Sequence, residues 1–102
     1  MSETIAFDDL EMLNGGDLKA VFDQLPLLEV VASLWGTNVA LRGRLLRKLT
    51  APHTHTIEQG IAATEHLSFE QVRNAQQRAV EAMCQLSRTG QIAFDVPEDM
   101  VA

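Results

Sequence analysis

Apolar residues recur every three or four positions along almost the whole chain, which is the spacing of amphipathic helices. The alternation of apolar and polar residues that is typical of a half-buried strand is never sustained. Glycine, proline and asparagine interrupt the helical pattern at intervals and predict short turns. The pattern therefore predicts an all-α fold, a compact bundle of about six short helices with a long C-terminal helix.

The first three predicted helices lie in residues 7–35. The first spans residues 7–13 and stops at Asn14 and the two glycines after it, because glycine is unfavourable inside a helix. The second begins at Asp17 and ends near Leu25. The third has Pro26 in its first turn and is apolar around most of its circumference, which predicts a central position in the bundle.

The next two predicted helices carry weaker apolar faces. Asn38 is a suitable N-cap for a fourth helix over residues 39–49. Thr50 is a candidate cap for a fifth helix, which has Pro52 in its first turn and is weakened by Gly60.

The sixth helix has the strongest signals. Ser68 and Gln71 fit a capping box, and Gly90 predicts the end of the helix. Its apolar face is predicted to contain Phe69, Val72, Ala75, Ala79, Val80, Met83 and Leu86. Residues 91–94 are predicted to be extended. The predicted organisation is an N-terminal segment (1–6), one helical domain (7–94) and an acidic flexible tail (95–102).

Composition and charge exclude several classes of protein. The 102 residues suffice for one hydrophobic core and argue against a multidomain enzyme. The 14 acidic and 8 basic residues leave a net charge of −6, which argues against binding to nucleic acid or to an anionic membrane. The acidic N-terminus has no signal-peptide pattern, and the single cysteine cannot form an intramolecular disulfide. We expect a soluble cytoplasmic protein without direct membrane insertion.

Residues able to support catalysis or to bind a metal are few. His53 and His55, with His66 and Cys84 elsewhere, are the only candidates, and zinc sites need three or four ligands at closer spacing. Solvated histidines are the favoured interpretation. Cys84 is expected to behave as a small hydrophobic residue, with no basic neighbour to lower its pKa. The sequence therefore predicts no catalytic residue, no metal site and no cofactor, and the protein is not expected to be an enzyme.

Half of the basic residues fall in the fourth helix. Arg44, Arg47 and Lys48 share one arc of a helical wheel, a basic strip that either pairs with nearby acids or docks an acidic protein. Arg42 falls within the apolar arc and is expected to snorkel or to pair with a carboxylate, such as one from the acidic first helix.

Trp35, the one tryptophan, has two interpretations. Its position in the apolar periodicity favours the core, whereas the enrichment of tryptophan in binding hot spots favours an exposed interface anchor.

Three segments together resemble a known family: FDDLEMLNGGDLKAVFDQL, LWGTNVALRGRLLRKL and LSFEQVRNAQQRAVEAMCQLSRTGQIAF. The chain resembles the C-terminal domain of FliG, the rotor protein of the bacterial flagellar switch complex. The resemblance covers residues 7–94 without a gap and implies the six-helix, stator-facing part of that domain. The matching positions include Phe7, Leu10, Leu34, Gly36, Leu41, Arg42, Leu46, Arg47, Val72, Ala75, Gln76, Leu86, Gly90, Gln91 and Ile92.

The resemblance also implies a row of charged residues that meets the stator, and this chain lacks it. A lysine is replaced by Trp35, an arginine by Pro52, two adjacent aspartates by Gln59 and Gly60, and a second arginine by Ser68. Because all five charges are missing, a torque-generating contact with a charged stator loop is not expected. A lysine at position 35 would reach solvent, so the resemblance shifts the prediction for Trp35 toward partial exposure.

The resemblance leads to two functional hypotheses. The first is a non-catalytic component of the flagellar motor switch or rotor, acting by protein–protein interaction with rotor, switch or stator proteins at the cytoplasmic face of the basal body. The alternative is a soluble adaptor or regulator that keeps the FliG-like fold outside the motor. The candidate partner-binding residues are Trp35, Arg44, Arg47, Lys48, Gln59, Gly60 and Ser68.

Overall fold

The computed structural model describes residues 6–93, in which all regular structure is helical. A 3₁₀ helix is followed by five α-helices, and the prediction of an all-α bundle ending in a long helix is confirmed. The bounds are Phe7–Met12 for the 3₁₀ helix, Gly15–Asp23 for α1, Leu27–Trp35 for α2, Val39–Arg47 for α3, Ala51–Ala63 for α4 and Phe69–Arg88 for α5.

The chain between the first two helices differs from the prediction. The first element is a 3₁₀ helix rather than an α-helix, and it buries Phe7 and Leu10 within its six residues. Asn14 begins the next helix instead of ending the previous one, because its side-chain oxygen accepts a hydrogen bond from Asp17 N at 2.8 Å. Helix α1 consequently begins two residues earlier than expected.

Gly15 is required where α1 begins, because the backbone of Lys48 lies directly against it. A Cβ atom on Gly15 would come within 2.2 Å of the Lys48 carbonyl oxygen. The neighbouring Gly16 has no such constraint, since the closest atom to its Cβ would be Asn14 Oδ1 at 3.5 Å. The double glycine thus contains one residue needed for packing and one that is not.

Helix α2 is central, as expected, and packs most extensively on α5 and then on α4. The contact with α5 is close: a Cβ on Gly36 would lie 2.1 Å from Val72 Cγ1. Gln76 Nε2 of α5 donates to the Ser33 carbonyl oxygen at 3.0 Å. The first turn of α2 is not enclosed, however, because Leu28 is 83% exposed.

Helices α3 and α4 differ from the prediction mainly at their ends. Helix α3 begins after its predicted cap, Asn38, whose side chain accepts from Leu41 N, and it ends two residues early, at Arg47. Thr50 occupies the N-cap position of α4 without a side-chain hydrogen bond. Gly60 does not interrupt α4; a Cβ there would lie 2.6 Å from Val31 Cγ2, so the glycine allows α4 to approach α2.

Helix α5 has the predicted capping box, formed by Ser68 and Gln71, and buries Ala75, Ala79, Met83 and Leu86. Gly90 follows its end with a φ of 75°, which glycine adopts without strain.

Two features near the ends of α5 differ from the prediction. Phe69, predicted to lie in the apolar face of the helix, is exposed. The predicted extended segment is not found over residues 91–93, where no strand forms. Phe94, the acidic tail (95–102) and residues 1–5 lie outside the described residues.

The two neighbouring glycines of α1 provide a matched test of the fold. Gly15→Ala is expected to lower the free energy of unfolding by about 2 kcal/mol or more, because the methyl group meets backbone that cannot rotate away. Gly16→Ala is expected to leave it unchanged or raise it by up to about 1 kcal/mol. Urea unfolding followed by circular dichroism measures both, and equal effects of the two substitutions would contradict the packing described here.

Candidate partner-binding site

An apolar groove lies where the end of α2 meets the start of α5. We call it the Trp35 groove; it has a volume of about 510 Å³ and its lining residues are Trp35, Gly36, Leu67, Phe69, Val72, Arg73 and Gln76. Arg73 is the only formally charged residue in that lining. The groove can therefore accept an apolar side chain with a charged or polar group at its rim.

Trp35 is half-buried in this groove, which agrees with the partial exposure implied by the FliG resemblance rather than with a fully enclosed core position. Its ring meets the ring of His66 edge-on, with centroids 6.2 Å apart and an interplanar angle of 87°. Such a contact orients the indole while leaving part of it open to solvent. Tryptophan is enriched in binding hot spots, and the exposed part of this ring is available to a partner.

Phe69 forms one wall of the groove and is 78% exposed, in contrast to the apolar-face position predicted from the sequence. At about 100° per residue, Phe69 lies roughly 85° from the centre of the arc defined by the buried residues of α5. It also follows the N-cap immediately, at the very start of the helix. The helical wheel, drawn from the four buried positions alone, would have identified Phe69 as a peripheral residue.

The other predicted residues of this region are only partly brought together. Ser68 stands between two groove residues, Leu67 and Phe69, and its hydroxyl is used as the N-cap of α5. Gln59 is exposed on α4 and does not line the groove. Gly60 is packed against Val31. The structure thus places Trp35 in the groove and Ser68 beside it in the chain, and places Gln59 and Gly60 on a separate helix.

The predicted basic strip of α3 is largely engaged within the molecule. Arg44 pairs with Glu11 of the 3₁₀ helix. Lys48 Nζ donates to the carbonyl oxygens of Glu11 and Leu13, the latter at 2.7 Å. Arg47 is exposed and forms no ion pair with any described residue. Two of the three cations therefore hold the acidic first helix, and Arg47 remains available to a partner.

Arg42 agrees with one of the two roles expected for it, snorkelling, and not with the other, an ion pair. It is half-buried, in agreement with its position in the apolar arc, but it forms no ion pair within residues 6–93. The contact with the acidic first helix is made instead by Arg44, which lies two residues after Arg42 in α3. A wheel assigns a face to each residue but does not show which long side chain reaches a neighbouring helix.

The histidines and the cysteine do not assemble into a reactive site in the part of the chain that the structure describes. No three or more His, Cys, Asp or Glu side chains there lie close enough to share a metal ion. Burial raises the pKa of the Cys84 thiol above its ordinary value, although Arg88, one turn away, acts to lower it. The expectation that Cys84 has no basic neighbour was therefore wrong, but burial has the larger effect.

The fold and the groove define a helical domain, a small all-α bundle with a groove lined in part by aromatic residues. The FliG C-terminal domain family matches residues 1–94, and the chain belongs to this family. The family consists of components of the flagellar motor switch, so the function of this chain is related to that switch and to motility. No curated protein sequence matches the chain. Among residues 6–93, no helix is both long and apolar enough to cross a bilayer.

Lys48 and Arg47 allow the two roles of the basic strip to be separated. Lys48→Met is expected to lower the free energy of unfolding by about 1–3 kcal/mol, because two carbonyl groups lose a charged donor. Arg47→Met, its matched control, is expected to change it by less than about 0.5 kcal/mol. Thermal or urea unfolding measures both, and a stable Lys48→Met variant would show that the contact with the 3₁₀ helix is dispensable.

Cys84 is expected to react slowly with thiol reagents at neutral pH. Its raised pKa lowers the fraction of thiolate, which is the reactive form, below that of an unhindered cysteine. The measurement is the rate of alkylation by iodoacetamide from pH 7 to pH 10, compared with the same chain in urea. A folded chain that reacts as fast as the unfolded one at pH 7 would contradict this prediction.

Proposed function

We propose that this chain is a non-catalytic component of the flagellar motor switch that binds another motor protein through the Trp35 groove. The supporting observation is the groove itself, an apolar concavity that leaves a half-buried tryptophan and an exposed phenylalanine open to a partner. Exposed aromatic residues beside a concave apolar surface are what interface anchors require. Such a partner would be met at the cytoplasmic face of the basal body.

The charges at this surface argue against torque generation by electrostatic contact. The resemblance implies a lysine where Trp35 lines the groove and an arginine where Ser68 caps α5. Helix α4, which would supply an arginine and two adjacent aspartates, has Glu58 as its only formally charged residue. A charged stator loop would meet little complementary charge here. Neither its electrostatic attraction to this surface nor its alignment on the surface would then be supported.

Gly60 provides a structural reason why one of the charges implied for α4 is not accommodated in this chain. A side chain at this position would come within 2.6 Å of Val31, so an aspartate would push α4 away from α2. The absence of a charged side chain at position 60 is therefore coupled to the packing of α4 on α2. This observation supports a function that does not use the charged row.

Binding to isolated basal bodies tests the proposal. The wild-type chain is expected to co-sediment with basal bodies that retain the switch complex and not with basal bodies stripped of it. Trp35→Lys, which introduces the residue implied by the resemblance, is expected to reduce the bound fraction at least about tenfold, as removal of an aromatic hot spot does. Val39→Gln is the control, because Val39 is 73% exposed and does not line the groove.

Two outcomes would contradict the proposal. Equal binding of the wild type and Trp35→Lys would remove the groove from the interface. Failure of the wild-type chain to bind basal bodies of either kind would favour the adaptor outside the motor. The absence of torque is tested separately, by replacing the corresponding domain of a complete FliG with this chain; rotors that assemble but do not turn are expected.

A further inference from the structure

A second groove runs along α5 and adjoins the Trp35 groove. We call it the α5 groove; it has a volume of about 870 Å³ and extends from Arg73 to Arg88, with Val80 and Cys84 between them. Arg73 and Gln76 line both grooves. The two grooves are therefore contiguous, and a partner seated in one of them reaches the other directly.

The residues that connect the two grooves lie on one face of α5. Six lining residues follow one another at intervals of three or four positions: Phe69, Arg73, Gln76, Val80, Cys84 and Arg88. Such spacing places side chains along one face of a helix. At a rise of about 1.5 Å per residue, this face is about 28 Å long. A segment bound at the Trp35 groove can therefore continue along α5 without crossing to another side of the helix.

The charges on this face favour an acidic partner. Arg73 and Arg88 are both exposed, and neither forms an ion pair with a residue in the range 6–93. Glu81 is the only acidic residue in the lining of the α5 groove, so two arginines stand there against one glutamate. The groove is thus locally positive, although the whole chain has a net charge of −6. Such a local charge attracts and orients carboxylates of a partner.

Apolar contacts are available between the two arginines. Val80 and Cys84 lie one turn apart on α5, and both are half-buried, so part of each side chain remains open to a partner. A segment that is complementary to this face has apolar side chains for these positions and for the Trp35 groove. It also has carboxylates at the positions that meet Arg73 and Arg88.

We propose that the motor protein bound at the Trp35 groove also occupies the α5 groove, through an acidic amphipathic segment whose carboxylates pair with Arg73 and Arg88. The inference rests on the proposed function, in which the Trp35 groove is the docking site, and it specifies the chemistry and the extent of the bound segment. The net charge of −6 repels an acidic partner from most of this chain, so the contact depends on the two arginines.

Co-sedimentation with basal bodies that retain the switch complex tests the contact at Arg88. Arg88→Glu is expected to raise the dissociation constant at least about tenfold, because a carboxylate of the partner then faces a like charge. Arg88 is exposed and does not line the Trp35 groove, so that groove is left intact. The difference from the wild type is expected to shrink as the salt concentration rises, since salt screens exposed charges.

Arg47→Glu is the matched control for Arg88→Glu. Arg47, like Arg88, is the last residue of its helix, is exposed and forms no ion pair with any described residue. It lines neither groove. Both substitutions change the net charge by the same amount, so general repulsion is equal in the two variants. Arg47→Glu is expected to bind like the wild type, and an equal loss in both variants would overturn the proposal.

Cys84 reports directly on the α5 groove, because it lines that groove and is the one cysteine of the chain. Its alkylation by N-ethylmaleimide is expected to slow at least about fivefold when basal bodies are in excess, since a bound segment covers the thiol. In the Trp35→Lys variant, alkylation is expected to stay at the rate of the free chain. A wild-type rate that basal bodies leave unchanged would overturn the proposal.

The chain itself contains another acidic segment, with Asp95, Glu98 and Asp99. The combined neutralisation Asp95→Asn, Glu98→Gln and Asp99→Asn is expected to leave the alkylation of Cys84 in the free chain unchanged. Faster alkylation of this variant would identify the chain's own segment as the occupant of the α5 groove and would overturn the proposal.

Failure of this inference and failure of the proposed function give different results. If Trp35→Lys loses binding to basal bodies while Arg88→Glu binds like the wild type, the partner is confined to the Trp35 groove, which overturns this inference and keeps the proposed function. If Arg88→Glu loses binding while Trp35→Lys does not, the acidic contact is supported and the proposed use of the Trp35 groove is contradicted. A wild-type chain that binds no basal bodies contradicts both.

Discussion

The close contact between α2 and α5 is the constraint on which the rest of the structure depends. Gly36 leaves space for Val72, and Gln76 donates a hydrogen bond to the backbone of α2 at Ser33. Because the two helices approach so closely at this end, Trp35 is held next to the start of α5. The groove results from this arrangement. It lies over the contact between α2 and α5, and it is lined by Trp35 and Phe69, which that contact does not fully bury.

A second constraint ties the acidic N-terminal helix to the basic helix α3. Lys48 donates to two carbonyl groups near the end of the 3₁₀ helix, and its own carbonyl lies against Gly15. Arg44 adds an ion pair with Glu11. Much of the positive charge in α3 is therefore used to position a neighbouring element. The basic strip of α3 consequently offers little free charge to a partner.

Membership of the FliG C-terminal domain family and the uncharged surface are compatible, because a fold and a binding surface are specified by different residues. The buried residues of α5 and the caps at Asn38 and Ser68 maintain the bundle. The positions expected to carry the family's charges lie mostly at exposed or partly exposed sites. Apolar and neutral residues at these positions are therefore compatible with the architecture.

The sequence by itself determined the all-helical class, the approximate bounds of each helix, the capping box of α5 and the family. These features rest on hydrogen bonds and apolar spacings within about four residues, which local patterns report directly. Only the tertiary structure decided that position 15 has no space for a side chain, that Lys48 binds the 3₁₀ helix and that Gln76 reaches the backbone of α2. The contacts responsible join residues far apart in sequence: 35 positions for Lys48 and Leu13, and 43 for Gln76 and Ser33. Such pairings depend on how whole helices pack, and helical periodicity shows which face of a helix is apolar but not which neighbour covers it.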